Sequence, residues 1–188
     1  MRIISGRWKG RRIETKLPSG IRPTQDAIKE TIFNILNNYI GFEDIECADI
    51  CAGAGMLGIE ALSRGAKKVY FVDKNKNAIE YIQNTLSLLK TNSNMYKTLK
   101  LDATQFLNHY NNLIVPKSYL NLIFTDPPYK TSIINDILQL TIENSILANK
   151  GIIVAETSIF TQLIINDFYE ILTERQFGIS KIIILRKL

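Results

Sequence analysis

From Ile45 onward the chain repeats one unit, in which a short apolar run of strand length is followed by a stretch with apolar residues at helical spacing. Apolar runs over 45–50, 68–73, 96–101, 119–125 and 151–156 predict strands. Stretches near 56–64, 75–90, 103–110 and 132–146 predict helices, the second with Ala78, Ile79, Ile82, Leu86 and Leu89 on one face. Strand–helix alternation of this kind predicts a doubly wound α/β domain with a mostly parallel sheet. A weaker helix is expected at 159–166. Two last runs, 168–176 and 180–187, meet around Gly178 and predict an antiparallel hairpin that completes a seven-stranded sheet.

The first residues follow a different pattern. Residues 1–17 alternate loosely between basic positions and Ile3, Ile4, Trp8, Ile13 and Leu17, with Gly6 and Gly10 as punctuation, which predicts a small β-ribbon. Arg22-Pro23-Thr24 ends this segment, and Thr24 is a suitable N-cap for a helix with Asp26 in its first turn. That helix carries Ile28, Ile32, Ile35, Leu36 and Tyr39 at helical spacing and ends before Gly41. The expected organisation is a basic arm over 1–24 and one α/β domain over 25–188. No internal repeat, low-complexity tract or linker interrupts it.

At 188 residues and 46% hydrophobic content the chain can bury a full core. No apolar run approaches the roughly 20 residues of a membrane span, and no apolar segment follows the basic N-terminus. A cytoplasmic protein is expected. Cys47 and Cys51 stand far in sequence from the single histidine, His109, so neither a metal site nor a disulfide framework is expected. Charge is more informative. Residues 1–24 carry seven basic side chains against Glu14, a net of +6, whereas the whole chain sums to +5. The other residues therefore total −1. An excess confined to one end, interleaved with Trp8, points to a polyanion and first to nucleic acid, with Arg7, Lys9, Arg11, Arg12 and Arg22 as the candidate contacts.

Two motifs carry the chemistry. After the first strand, Asp49-Ile50-Cys51-Ala52-Gly53-Ala54-Gly55-Met56-Leu57-Gly58 satisfies G-x-G-x-x-G, and Asp73 lies 20 residues beyond Gly53. Glycines at a helix N-terminus let a ligand approach the backbone, and an acid at that distance can bind both hydroxyls of a ribose. The pattern predicts a nucleoside-containing cofactor and leaves NAD open. Asp49 narrows this, because a carboxylate there could receive an amino group and would repel a pyrophosphate. Asp102, followed by Ala103, could meet an adenine amine. Either acid could instead be a helix N-cap. The second motif, Asp126-Pro127-Pro128-Tyr129, closes the fourth strand. Two prolines stiffen this turn and remove two N–H donors, leaving carbonyls, a carboxylate and an aromatic face for a planar, amine-bearing substrate.

These residues resemble a known family. Arg2-Ile3-Ile4 with Gly10-Arg11, Arg22-Pro23-Thr24, Glu30, Phe33-Asn34-Ile35-Leu36, the stretch Leu57 to Ala66 and Asp126-Pro127-Pro128-Tyr129 are similar to the RsmD-type class I methyltransferases. The resemblance runs nearly end to end. It implies a Rossmann-like class I methyltransferase fold and S-adenosylmethionine as cofactor, held by Asp49, Gly53, Gly55, Asp73, Asp102 and Ala103. It also implies a monomeric enzyme acting on the N2 amine of a guanine in 16S rRNA or the small ribosomal subunit, with Asp126, Pro127 and Tyr129 as catalytic residues. Cys51 departs from a usual aromatic, Ala54 from a usual hydroxyl residue and Ser5 from a usual glycine. Competing expectations are methyl transfer to DNA adenine or cytosine or to a protein glutamine, an NAD-dependent oxidoreductase, and a non-catalytic RNA-binding module.

Overall fold

The computed structural model describes residues 1–13, 17–18, 25–114, 117–127 and 133–188. At its centre is β1 (Glu46–Ile50), paired in parallel with β2 (Lys68–Val72) on one side and β4 (Leu120–Thr125) on the other. Outward from these lie β3 (Tyr96–Leu99), parallel to β2, and β5 (Leu147–Ser158), parallel to β4. The hairpin of β6 (Tyr169–Phe177) and β7 (Ser180–Lys187) joins antiparallel through β7, so the strand order is β3-β2-β1-β4-β5-β7-β6. The order reverses between β1 and β4. In an open sheet of this kind that reversal opens a crevice at the carboxyl ends of the strands.

Five α-helices flank the sheet among the described residues: α1 (Asp26–Leu36), α2 (Met56–Arg64), α3 (Lys76–Leu88), α4 (Ala103–Leu113) and α5 (Ile133–Glu143). The period of two along each strand divides the core. Cys47, Val69, Phe71, Leu122, Phe124 and Val154 pack with the apolar faces of α1, α2 and α3. Ile50, Tyr70, Val72, Ile123 and Ile153 pack with α4 and α5 on the other side. Central strands are therefore apolar on both faces, as parallel strands covered by two helix layers must be.

The predicted ribbon at the N-terminus is a tight hairpin around a 3-10 turn at Gly6–Trp8. It has an Arg2–Arg12 bridge and backbone bonds from Gly10 N to Ile3 O and from Ile13 N to Met1 O, both 2.9 Å. It is part of the fold rather than a free arm, since Ile3, Trp8 and Ile13 are buried in the core shared with α1 to α3. Glu60 of α2 is fully buried and accepts from Ile4 N and Ser5 N at 2.9 Å each and from Arg64 Nε at 2.9 Å. Lys29, also fully buried, lies 3.9 Å from Glu60 and donates to Arg2 O. Ser63 bridges Trp8 N and Ser5 O. Gly6 approaches so closely, at φ +81°, that a Cβ there would lie 1.8 Å from Ser63 O. Gly6→Ala should consequently undock the hairpin, lowering the urea midpoint by the equivalent of about 1–3 kcal/mol and speeding amide exchange at Ile4 and Ser5. Unchanged exchange would show that the hairpin is held without this contact.

Three expectations need correction. The helix expected at 159–166 does not form. Ile159 N bonds to Ile179 O, Ile164 N to Asn135 Oδ1, and Gln162 O accepts from Asn135 Nδ2, so long-range partners take the groups a helix would pair locally. β5 starts at Leu147 rather than 151, because buried Ile146 and Leu147 pair back toward Leu120 before a register shift. The N-cap position of α1 is Gln25, whose side chain makes no capping bond. Thr24, with Arg22, Pro23 and Lys16, lies outside the described residues.

Candidate active site

The crevice at the reversal of strand order is lined by Asp49, Cys51, Ala52, Gly53, Ala54, Met56, Leu57 and Asp126. Strand register explains why residues so distant in sequence meet there. Ile50 of β1 pairs with both Val72 of β2 and Thr125 of β4, so Cys51, Asp73 and Asp126 leave the sheet at one level. Past that level the chain makes a tight loop with Cys51 at φ 59°, Gly53 at φ 54° and Gly55 at φ 69°. A non-glycine residue in the left-handed region costs energy and is typical of a site held in shape by its surroundings.

Hydrogen bonds set that shape. Asp73 accepts from Gly53 N through Oδ2 and from Asn75 N through Oδ1, each at 2.8 Å, and so fastens the glycine loop to the end of β2. Asp49, only 4% exposed, accepts from Gly58 N at 2.9 Å, beneath the first turn of α2. Burial pushes its carboxyl up to about 8; the Gly58 N–H opposes this, and the nearby charges of Asp126 and Asp73 add to it. Asp102 caps α4 in a capping box, accepting from Gln105 N and Thr104 Oγ1 at 2.8 Å, and these bonds hold its carboxyl below the usual range. Cys47 and Cys51 are unsuited to nucleophilic attack, since burial raises both thiols, Cys51 to about 12.

The glycines divide by role. Gly53 lines the crevice. Gly55 and Gly58 are required by packing as well, because a Cβ at Gly55 would lie 2.8 Å from Ile82 Cγ1 and one at Gly58 would lie 2.4 Å from the Phe71 ring. The structure thus brings Asp49, Gly53 and Asp126 into one crevice, with Asp73 one hydrogen bond behind. Asp102 and the buried Ala103 stand past the end of β3, outside the crevice lining. Asp126 is half-buried and Pro127 buried; Pro128 and Tyr129 lie outside the described residues.

The described basic candidates all lie on the N-terminal hairpin. Arg7 Nη1 reaches Met95 Sδ, just before β3, so the hairpin tip lies at the amino end of the sheet, the length of α2 away from the crevice. Lys9, Arg11 and Arg12 are exposed, and Arg22 lies outside the described residues. Sequence reasoning missed Met56 and Leu57 as lining residues and Lys29, Glu60 and Ser63 as anchors of the hairpin. The available signal was a charge inside an apolar helical face, Lys29 beside Ile28 and Ile32, and Glu60 between Ile59 and Ala61.

A family model described as conserved hypothetical protein 95 matches residues 1–186. The chain belongs to this family. It is the RsmD family that the motifs resemble. A curated relative, ribosomal RNA small subunit methyltransferase D of Haemophilus influenzae, is 35% identical over 179 residues, covering 95% of this chain and 90% of its own length. A solved chain from Haemophilus influenzae, described provisionally as a methylase, matches with a TM-score of 0.79 at 33% identity, covering 100% of this chain and 98% of that one. Another solved chain, described provisionally as a methyltransferase and in complex with S-adenosylhomocysteine, matches with a TM-score of 0.68 at 14% identity. It covers 84% of this chain and 49% of its own, and it shares the fold alone. The fold of this family member is the class I methyltransferase fold, a mostly parallel seven-stranded sheet ending in an antiparallel hairpin.

Proposed function

We propose that the chain transfers a methyl group from S-adenosylmethionine to the exocyclic N2 amine of a guanine in small-subunit (16S) ribosomal RNA. The observation that carries this reading is a crevice at the β1/β4 reversal lined by two carboxylates, Asp49 and Asp126, and by no cationic side chain among the described residues. Such a lining suits a ligand bearing an ammonium and a sulfonium and repels the pyrophosphate of a dinucleotide. The methyltransferase relatives supply the acceptor class, and the one-ended basic charge fits a polyanion.

Asp49 would receive the cofactor's ammonium, with the Gly53 loop against its backbone-facing side. Asp73 would meet the ribose hydroxyls while keeping Gly53 in place, and Asp102 with Ala103 would border the adenine. When bound, the cofactor supplies an electrophilic methyl on sulfur. The chain's own task is to aim the amine. Guanine N2 is a poor nucleophile because its lone pair is delocalised into the ring. Asp126 and the Pro127 carbonyl accept its hydrogens, direct the lone pair toward the crevice, and give the departing proton a half-buried carboxylate on its way to solvent. Tyr129 supplies a stacking face, and the guanine must be unpaired to present N2. The family resemblance implies a cytoplasmic monomer. Among the described residues no helix is long and apolar enough to cross a membrane.

Mass spectrometry of 16S rRNA from a strain lacking the gene should show one N2-methylguanine missing, restored by the wild-type chain. An unaltered methylguanine content would reject this acceptor. Calorimetric binding of NAD in preference to S-adenosylhomocysteine would reject the cofactor.

A further inference from the structure

Immediately beside the amine-holding turn, the chain keeps an apolar surface in water on an ordered loop. Thr125 of β4 pairs with Ala155 of β5, so the end of β5 at Ser158 stands two residues beyond the level at which Asp126 leaves the sheet. The loop that follows is fastened on every side. Phe160 N donates to Ser158 Oγ at 3.2 Å, Thr161 N to Ser158 O at 3.0 Å, and Ile159 N to Ile179 O at 3.0 Å. Its far half is tied to Asn135, in the first turn of α5, the helix that follows Asp126 and Pro127 in the chain. Yet Phe160 is 83% exposed, Ile164 65% and Ile179 60%. A single exposed apolar residue is ordinary. Three held by hydrogen bonds on the loops at the carboxyl edge of the sheet leave more apolar surface in water there than one residue would, as binding surfaces do.

We infer that Phe160 is a stacking platform for an unpaired nucleobase next to the target guanine. The inference rests on the methyl-transfer reading given above. RNA is favoured as occupant by position. A guanine whose N2 is delivered to Asp126 has left its stack, so its neighbours in the strand expose aromatic faces just outside the crevice, where β5 follows β4 in the sheet. A flat aromatic ring covers such a face whatever the base, and flanking aliphatic side chains exclude water around it. The basic hairpin cannot serve this purpose, because its tip lies at the opposite end of α2.

The test compares Phe160→Ala, Phe160→Leu and Phe160→Trp on small ribosomal subunits from a strain lacking the gene. Phe160 touches water rather than core, so the variants should fold, with unchanged melting and unchanged affinity for S-adenosylhomocysteine. Phe160→Ala should raise KM for the subunit about tenfold or more with kcat nearly unchanged, and Phe160→Leu should recover little of the loss. Phe160→Trp should keep the wild-type KM, and its fluorescence should be quenched by protein-free 16S rRNA. A wild-type KM in Phe160→Ala overturns the inference. Full recovery by Phe160→Leu, or no quenching by protein-free RNA, also overturns it and assigns the patch to a protein contact. If the wild-type chain itself methylates no subunit, the failure lies in the proposed function and not in the platform.

Discussion

Asp126→Ala should slow methyl transfer about 10²–10³-fold under single-turnover conditions while affinity for S-adenosylhomocysteine stays within a few-fold. The magnitude is that of removing one pre-organised partner of a reacting group from a water-poor site. Asp126 leaves β4 at the level where Cys51 leaves β1, lines the crevice with Asp49, and is followed by the buried Pro127. Alanine keeps that backbone and removes the acceptor proposed to aim the amine. Asp126→Asn retains one carbonyl acceptor and should fall between alanine and wild type. Comparable losses of cofactor affinity and rate would reassign Asp126 to cofactor binding.

Asp49→Asn should weaken S-adenosylhomocysteine about 10- to 100-fold, the usual worth of a charge-assisted hydrogen bond, and should make the remaining affinity independent of pH. The reason is the buried carboxyl, pushed up to about 8 first by burial. In the unfolded chain an aspartate ionises at about pH 4. Between that pH and about 8 the folded, ligand-free protein holds one proton more than the unfolded chain, so this group's contribution to stability falls as pH rises across the window. An ammonium placed beside Asp49 displaces the proton. Wild-type affinity should therefore tighten from pH 6 toward pH 8, by at most about tenfold per pH unit, and level off above. Asparagine can still accept from Gly58 N through its carbonyl, so the variant should match or exceed wild-type stability at pH 8 to 9 without ligand. Cofactor affinity of the wild type that is flat with pH would remove Asp49 from contact with the ammonium. A variant less stable at every pH would mean that its carboxylate holds the fold.

Much of the architecture was legible because strands and helices impose different periods. The runs that became β2 and the centre of β4 are apolar on consecutive positions, Val69 to Val72 and Leu122 to Phe124, and Ala78, Ile79, Ile82 and Leu86 all lie on the buried face of α3. Where local pattern misled, a distant partner had intervened. The apolar stretch after Ser158 has helical spacing, but Asn135 and Ile179 capture its backbone groups.

By itself the sequence determined the strand–helix alternation, the glycine loop with its acid 20 residues on, the proline turn and the one-ended charge. These depend on spacing along the chain and on residue chemistry, both of which are local. Only the tertiary structure decided that Asp49 and Asp126 share one crevice, that Asp102 spends its carboxylate on a helix cap, and that Gly55 and Gly58 answer to Ile82 and Phe71. It also decided that the basic hairpin is pinned by Glu60 at a distance from the site, while Phe160 stands beside it. Strand order and register set those distances, and they follow from which apolar faces pack together rather than from any one segment.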